Sequence, residues 1–392
     1  MPDSPFLIAG AGIGGLTSAL ALARIGQPSI IVEQRTRIDD IGAGIQLSPN
    51  ASRILIELGF GPALAKAAAE PKQLLIRSGK SGKILGGMAL GDAMRNQYGA
   101  PYLTIHRADL QTILLDAVRG SDAIRLAFGR TVAAIDDNSQ MSVTIRCDSQ
   151  SASENVTGKA LIGADGLWSN VARLIGDPSK PEFRKHIAWR GLVARKDWPA
   201  DLPTIETRLW LGPGAHLVHY PIRRGEFINL VAVTSDIDNA PGWSRAGEPS
   251  MIQKRFARWH PDAVRAIHAV SEWTIWSLFD RAPRKAWSDN RVVLLGDAVH
   301  PVLPFLAQGA ALAIEDAYVL STELSKKPDD PSAAFTAYAD IRKPRTSKVQ
   351  AAARRNGDIY HMRWPLSMGR DFTMSRMTFA DHYSWIYDWR YV

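Results

Sequence analysis

The run FLIAGAGIGGLTSALALARIG, residues 6 to 26, changes character twice, from an apolar start through a cluster of glycines to apolar residues at helical spacing. Phe6 to Ala9 reads as a short buried strand, the glycines as a tight turn, and Leu16, Leu20 and Ala23 as one face of a helix. PSIIVEQ, residues 28 to 34, supplies a second strand that ends at Glu33. This is a βαβ start. Gly10, Gly12 and Gly15, with Gly14 among them, fit G-x-G-x-x-G. In that pattern the first glycine permits the turn, the second lets the backbone approach a pyrophosphate, and the third lets the helix pack closely, its N-terminus facing the phosphates. Glu33 follows Gly15 by eighteen residues at the end of the next strand, placed to accept ribose hydroxyl protons. Together these features predict dinucleotide binding.

Working outward, TVAAIDDNSQMSVTIRC (residues 131 to 147) predicts a β-hairpin with DDNSQ as its loop, and ALIGADGLWS (160 to 169) a buried strand running into a glycine turn. From about Ile187 the texture changes. IETRLWLGPGAHLVHYPIRRGEFINLVAVT (205 to 234) alternates apolar and polar residues and breaks at Gly212 to Gly214 and Arg223 to Gly225, predicting an antiparallel meander with one covered face. DNRVVLLGDAVHP (289 to 301) then returns to a buried strand of the first kind. The first domain is thus re-entered near residue 290, and the meander is an insertion. The expected division is 1–70, 101–182 and 288–357 for the dinucleotide domain, 71–100 and 183–287 for the sheet domain, and 358–392 for a helical tail. Trp385, Tyr387, Trp389 and Tyr391 are expected to pack that tail down.

Composition narrows the classes. With 392 residues, 46% hydrophobic and 22% charged, the chain has the makeup of a globular protein of two domains. The single cysteine, Cys147, excludes an internal disulfide, a Cys-x-x-Cys redox pair and a thiolate zinc site, and suits a reducing cytoplasm. No basic flank precedes the first apolar run and no apolar stretch reaches 18 residues, so neither export nor membrane spanning is expected. The net charge of +8 comes with short basic clusters and no nucleic-acid module, which argues against nucleic acid and leaves an anionic membrane surface, small anionic ligands or a merely basic solvated surface.

GADGLWSNVAR (163 to 173) and GDAVHP (296 to 301), taken with the N-terminal glycines, resemble the three flavin signatures of the class A flavoprotein aromatic hydroxylases, the group of salicylate hydroxylase, the hydroxybenzoate hydroxylases and 6-hydroxynicotinate monooxygenase. The resemblance runs from residue 6 to about 357. It implies a Rossmann-like α/β domain binding FAD non-covalently, with mainly parallel strands and a β-meander, an inserted antiparallel-sheet substrate domain and a C-terminal helical segment. Asp297 is then the acceptor for the flavin ribityl chain, and the helix from about Gly309 points its N-terminus at the reduced ring. HRADLQ (106 to 111) resembles the family segment whose arginine lies near the flavin phosphates, which carries over to Arg107 and less closely to Gln111. Asp165 and Gly166 match a pair that serves both FAD and NAD(P)H. No second glycine fingerprint exists, so NADH or NADPH is expected to bind transiently as co-substrate. GAGIQLSPNA (42 to 51) matches a loop beside the flavin ring, making Gln46 and Leu47 pocket candidates, or else a loop packed under the first helix. His300 either orders its loop through a backbone bond or meets the substrate. Pro304 and Phe305 stand in the loop after His-Pro, closest to the salicylate hydroxylase type.

In AHLVHYPI (215 to 222), period-two alternation puts His216, Val218 and Tyr220 on one face and Leu217 and His219 on the other. The spacing of His216 and Tyr220 matches a His-x-x-x-Tyr pattern that relatives present to their substrate, so both are expected to bind the phenol or relay its proton, while His219 is structural. His216 and His219 point apart, and no metal site is expected. The implied reaction is hydroxylation of a small phenolic or N-heteroaromatic acid through a flavin C4a-hydroperoxide, with or without decarboxylation, using O2. Arg190 in AWRG is a candidate for the substrate carboxylate. The rivals are a flavin dehydrogenase or reductase without oxygen insertion, and a flavin-bearing sensor. A monomer or homodimer is expected.

Overall fold

The computed structural model describes residues 4–37, 43–139, 141–149, 152–235 and 244–391; Gly42, at the head of the pocket loop, and Gln140, in the hairpin turn, lie outside them. A six-stranded sheet forms the centre, in the order Ser288–Asp289, Val292–Leu294, Ala160–Gly163, Phe6–Ala9, Ser29–Glu33 and Ile124–Phe128. Its strands are parallel except for the Ser288–Asp289 edge. Every residue of Phe6–Ala9, Ala160–Gly163 and Val292–Leu294 is buried, which is why these segments read as unbroken apolar runs. The glycine-opened helix Ile13–Arg24 packs against the helix Gly309–Lys326. A Cβ on Gly14 would stand 2.7 Å from Leu295 Cδ2 and 3.3 Å from Ala313 Cβ, so this approach needs glycine.

The inserted segment builds an eight-stranded sheet, ordered Ser244–Gly247, Trp273–Asp280, Glu182–Ala194, Phe227–Ser235, Ala215–Ile222, Thr207–Gly212, Gln73–Ser78 and Ile84–Ala89. The sequence predicted one covered face; both are covered. Trp189, Trp210, Leu217, Leu230 and Ile275 pack with Ile252, Phe256, Ala263 and Ile267 of the helices Pro249–Phe256 and Pro261–His268. Ala188, Leu209, Leu211, Val233 and Leu278 pack with Phe305, Tyr360 and Phe379 instead. Alternation along these strands therefore separates two apolar faces rather than a dry face from a wet one, and the whole of Thr207–Gly212 is buried. The expected hairpin is also larger than predicted, since Ser153–Gly158 adds a third, largely exposed strand to Thr131–Asn138 and Val143–Asp148.

After Gly309–Lys326 come the long helix Pro331–Tyr360 and the shorter Leu366–Met374 and Phe379–Tyr387. The aromatic tail closes over them. The Trp389 ring lies 4.8 Å from the Arg342 guanidinium and 4.7 Å from that of Arg345, and the Trp385 ring 4.2 Å from the Lys348 ammonium.

Candidate active site

The cofactor cleft starts at the glycine turn. Gly10 has φ +101°, and a Cβ there would come within 2.6 Å of the Ala164 carbonyl oxygen, while a Cβ on Gly15 would overlap the Gly10 carbonyl oxygen. Gly12 differs from both. Nothing lies within 4 Å of its Cβ position, so its backbone faces open space, the approach a pyrophosphate requires. Glu33 holds this turn from below, its Oε2 accepting from Ala11 N at 2.7 Å, and Gln111 Nε2 donates to Ala11 O at 2.7 Å. Asp297 is exposed yet walled by protein: desolvation pushes its carboxyl up, opposed by His300 and Arg107. Arg107 across from it is lowered by desolvation, with Asp297 pulling the other way. A solvent-open cleft floor lined by an acid and an arginine, next to an unobstructed glycine backbone, fits a dinucleotide carrying hydroxyls and phosphates. Gly309 opens its helix between the Asp297 turn and the pocket loop, and a Cβ on it would meet only Val302 Cγ1 at 3.7 Å.

Two expected cofactor or catalytic residues are engaged within the protein. Asp165 accepts from Ser169 Oγ at 2.5 Å and from Val171 N at 3.0 Å, so its carboxylate caps the first turn of the helix Asn170–Leu174. Beside it Gly166 takes φ +79° with open space at its Cβ. His300, expected among the catalytic groups, is 2% exposed and joins Asp316 Oδ2 through Nε2 at 2.5 Å, with its ring against Trp287. It orders the loop through a carboxylate, not the backbone bond the sequence suggested.

That carboxylate belongs to a buried network the sequence reading missed. Asp316 also accepts from Gly296 N at 2.9 Å and Arg342 Nε at 2.6 Å. Neighbouring Glu315 binds Arg342 Nη1, Arg345 Nε, Arg345 Nη2 and Asn50 Nδ2, each at 2.6 Å. Burial opposes these charges, but His300 and Arg342 win at Asp316 and lower its carboxyl to about 2. Asn50 Nδ2 reaches Gln308 Oε1 at 3.1 Å, and Gln308 Nε2 reaches Ser48 Oγ at 2.9 Å. The network therefore fixes the Asp297 turn, the start of the Gly309 helix and the pocket loop relative to one another. A signal was present. Gly309–Lys326 is apolar nearly all round, and an acid pair inside such a helix needs partners.

The chamber lies over the sheet face that carries His216, Val218 and Tyr220, as the alternation predicted. His216 is 4% exposed; the rings of Phe305 and Tyr360 are each 5.5 Å from it, and its Nδ1 meets His361 Nε2 at 2.8 Å. Burial, with His361 and His186 adding to it, holds His216 well below the ordinary value of 6.5, so the ring is neutral. Tyr220 donates to Gly44 O at 2.6 Å and is pushed up by burial, so it stays a protonated donor. Four residues at ~3.3 Å each put His216 and Tyr220 roughly 13 Å apart, too far to pass one proton directly. They mark two ends of one sheet face, walled at the His216 end by Phe305 and Tyr360 and here termed the chamber. At the Tyr220 end Tyr102 donates to Gln46 Oε1 at 2.5 Å, and Arg190 lies over the Trp276 ring. Arg190 Nε and Asn229 Nδ2 are buried there without acceptors among the described residues. Leu47, expected in the pocket, is fully buried in the main core, because alternation sends it to the face opposite Gln46. Pro304 is exposed, and Phe305 forms a chamber wall. A surface hollow lined by Arg195, Trp198 and Leu202 holds none of these groups. Among the described residues no cluster of three His, Cys, Asp or Glu is placed to hold a metal ion, and no helix is long and apolar enough to cross a membrane.

The glycine turn with its open Gly12 backbone and the buried, histidine-bearing sheet face fit a flavin-dependent oxidoreductase acting on aromatic compounds. The chain belongs to the FAD binding domain family, whose profile matches residues 3–353. It is 37% identical to 3-hydroxybenzoate 6-hydroxylase 1 of Aquipseudomonas alcaligenes, over 98% of this chain and 96% of that one. To the 6-hydroxynicotinate 3-monooxygenase of Pseudomonas fluorescens it is 32% identical, over 91% of this chain and 92% of that one. Among solved structures, a salicylate hydroxylase substrate complex superposes with a TM-score of 0.83 at 23% identity, covering 99% of this chain and 96% of that one. The protein is an FAD-dependent aromatic monooxygenase that draws on NAD(P)H.

Proposed function

We propose that the protein hydroxylates a small phenolic carboxylic acid, with 3-hydroxybenzoate the first candidate, and that the ring lies over Val218 with its hydroxyl toward His216 and its carboxylate toward Arg190 and Asn229. The observation that carries this reading is the polarity of the chamber. One end offers a neutral imidazole, and the other offers buried donors, Arg190 Nε and Asn229 Nδ2, that lack acceptors among the described residues. A carboxylate supplies the missing acceptors, and Arg190 supplies the charge. Phe305 and Tyr360 exclude water from the hydroxyl end. A phenol of pKa about 10 becomes a strong carbon nucleophile only as phenolate, so a neutral histidine at its hydroxyl is the group the chemistry requires. When bound, FAD supplies activated oxygen after reduction by NAD(P)H.

In the same proposal the cofactor is held by Gly10, Gly12, Gly14, Gly15, Glu33, Arg107, Asp297 and Gly309. These come from the discontinuous body 1–70, 101–182 and 288–357, and the sheet domain presents the chamber face. The test is oxidation of NADH and of NADPH by purified holoprotein with 3-hydroxybenzoate, 3-amino-4-hydroxybenzoate and 6-hydroxynicotinate, with peroxide assayed in parallel. Acceleration of at least tenfold with a hydroxylated product and little peroxide is expected from one of the three. Acceleration with stoichiometric peroxide from all of them would refute the placement.

A further inference from the structure

The chamber histidine does not stand alone. His216 Nδ1 meets His361 Nε2 at 2.8 Å, His361 Nδ1 meets His186 Nε2 at 3.0 Å, and His186 Nδ1 meets the Arg184 carbonyl oxygen at 2.6 Å. Each ring presents one nitrogen to each neighbour, so the rings form a line rather than converge on a point, as metal ligands would. The line runs from His216, buried against Phe305, to His361 at the end of the helix Pro331–Tyr360 and to half-buried His186. His186 owes its direction to an irregularity. The register of Glu182–Ala194 against Trp273–Asp280 shifts between Phe183 and Ile187, and Lys185 there has φ +55°. A bulge of this kind re-aims a side chain.

The Arg184 carbonyl decides every tautomer along the line. A carbonyl can only accept, so His186 carries its proton on Nδ1, and Nε2 of the neutral ring is an acceptor. His361 must then donate from Nδ1 and accept at Nε2, and His216 must donate from Nδ1. The remaining nitrogen, His216 Nε2, is left with a lone pair and no partner among the described residues.

We propose that His216, His361 and His186 form a proton relay that takes the proton of a phenolic substrate from the chamber toward solvent, its starting polarity set by the Arg184 carbonyl. The inference rests on the placement of the phenol at His216. The phenol O–H bond breaks and its proton joins His216 Nε2; the His216 Nδ1 proton moves to His361 Nε2; the His361 Nδ1 proton moves to His186 Nε2. The products are a phenolate in the chamber and an imidazolium at half-buried His186, which releases a proton to water. Neither inner ring keeps the charge. Burial lowers His216, and burial with His186, Arg255 and Arg370 lowers His361 to about 3.

Glutamine at position 361 separates relay from scaffold, because its amide oxygen accepts from His216 Nδ1 and its amide N–H donates to His186 Nε2, keeping both hydrogen bonds while passing no proton. The experiment mixes oxidised holoprotein with 3-hydroxybenzoate in a stopped-flow spectrometer, without NAD(P)H, and follows the phenolate absorbance of the bound ligand. We expect His361→Gln to slow ionisation at least tenfold with Kd within twofold of wild type and Tm unchanged. His186→Gln, at the half-buried end, should do the same where substitution is easily tolerated. If His216→Gln abolishes ionisation while both relay variants ionise at the wild-type rate, the relay is wrong and the substrate placement stands. If His216→Gln also ionises normally, the placement itself fails and takes the relay with it. Ring 15N shifts of ligand-free protein test the relay independently of substrate: Nδ1–H is expected at all three histidines, and an Nε2–H at His361 would overturn it.

Discussion

Replacing Asp316 with asparagine tests whether the buried acid–arginine network supports the cofactor site. The carboxylate accepts from Arg342 Nε, His300 Nε2 and Gly296 N in a fully buried setting. An amide keeps one acceptor oxygen and turns an N–H toward donors that need an acceptor. Its carboxyl sits at about 2 against an ordinary 3.8, a depression that at ~1.4 kcal/mol per pH unit corresponds to a contribution of roughly 2 kcal/mol. Leaving Arg342 short of a counter-charge adds to this, and removing one partner of a buried pair costs ~3–5 kcal/mol. The expected loss is therefore ~3 kcal/mol or more in urea unfolding followed by tryptophan fluorescence. Because Gly296 N immediately precedes Asp297, FAD affinity should fall as well, by roughly tenfold, or ~1.4 kcal/mol, in a flavin-fluorescence titration. Unfolding within ~0.5 kcal/mol of wild type together with unchanged FAD affinity would refute the assigned role.

The same carboxylate sets an acid limit. Its folded value is depressed, so its contribution is complete above 3.8 and is lost as pH falls toward about 2; acid unfolding should begin below pH ~4 and be blunted in Asp316→Asn, as read by circular dichroism. Gly12→Ala should leave the apoprotein's unfolding within ~0.5 kcal/mol of wild type, since its Cβ meets nothing, yet cost FAD affinity at least tenfold, whereas Gly15→Ala should impair folding itself. In Gly44→Ala the new Cβ lies 2.7 Å from Tyr220 Cε2 and 2.9 Å from Asn229 Cγ. Overpacking of ~1–3 kcal/mol should appear in thermal unfolding, with KM for the aromatic acid raised more than kcat is lowered. Trp389→Ala removes a ring stacked on Arg342 and Arg345 and should cost ~2 kcal/mol or more, measured by denaturant unfolding.

What the sequence made legible was whatever repeats locally. The glycine turn, the buried strand at Phe6–Ala9 and the separation of His216 and Val218 from Leu217 on Ala215–Ile222 each follow from spacing within a dozen residues, and each is found where expected. Contacts between distant segments left no such trace. His361 meets His216 across 145 positions, and Arg345 meets Glu315 across 30, so no local pattern pairs them. Leu47 was misplaced for a related reason. A motif identifies a loop, but which way each side chain turns depends on the register of Gly44–Leu47 against Leu103–His106. The polar run Ser153–Gly158 became a strand because a partner edge was available, which no propensity would announce.

The strand order of the central sheet has a consequence for synthesis. Ala160–Gly163 is flanked by Phe6–Ala9 on one side and by Val292–Leu294 on the other. A nascent chain thus carries that strand with an unpaired edge until residue 294 has left the ribosome, by which time most of the eight-stranded sheet is already available. Glu315 and Asp316 then wait for Arg342 and Arg345, and Trp389 closes over both arginines only after it has itself emerged. The body that begins first finishes last, so a chain released before Trp389 should be a client of chaperones rather than a shorter enzyme.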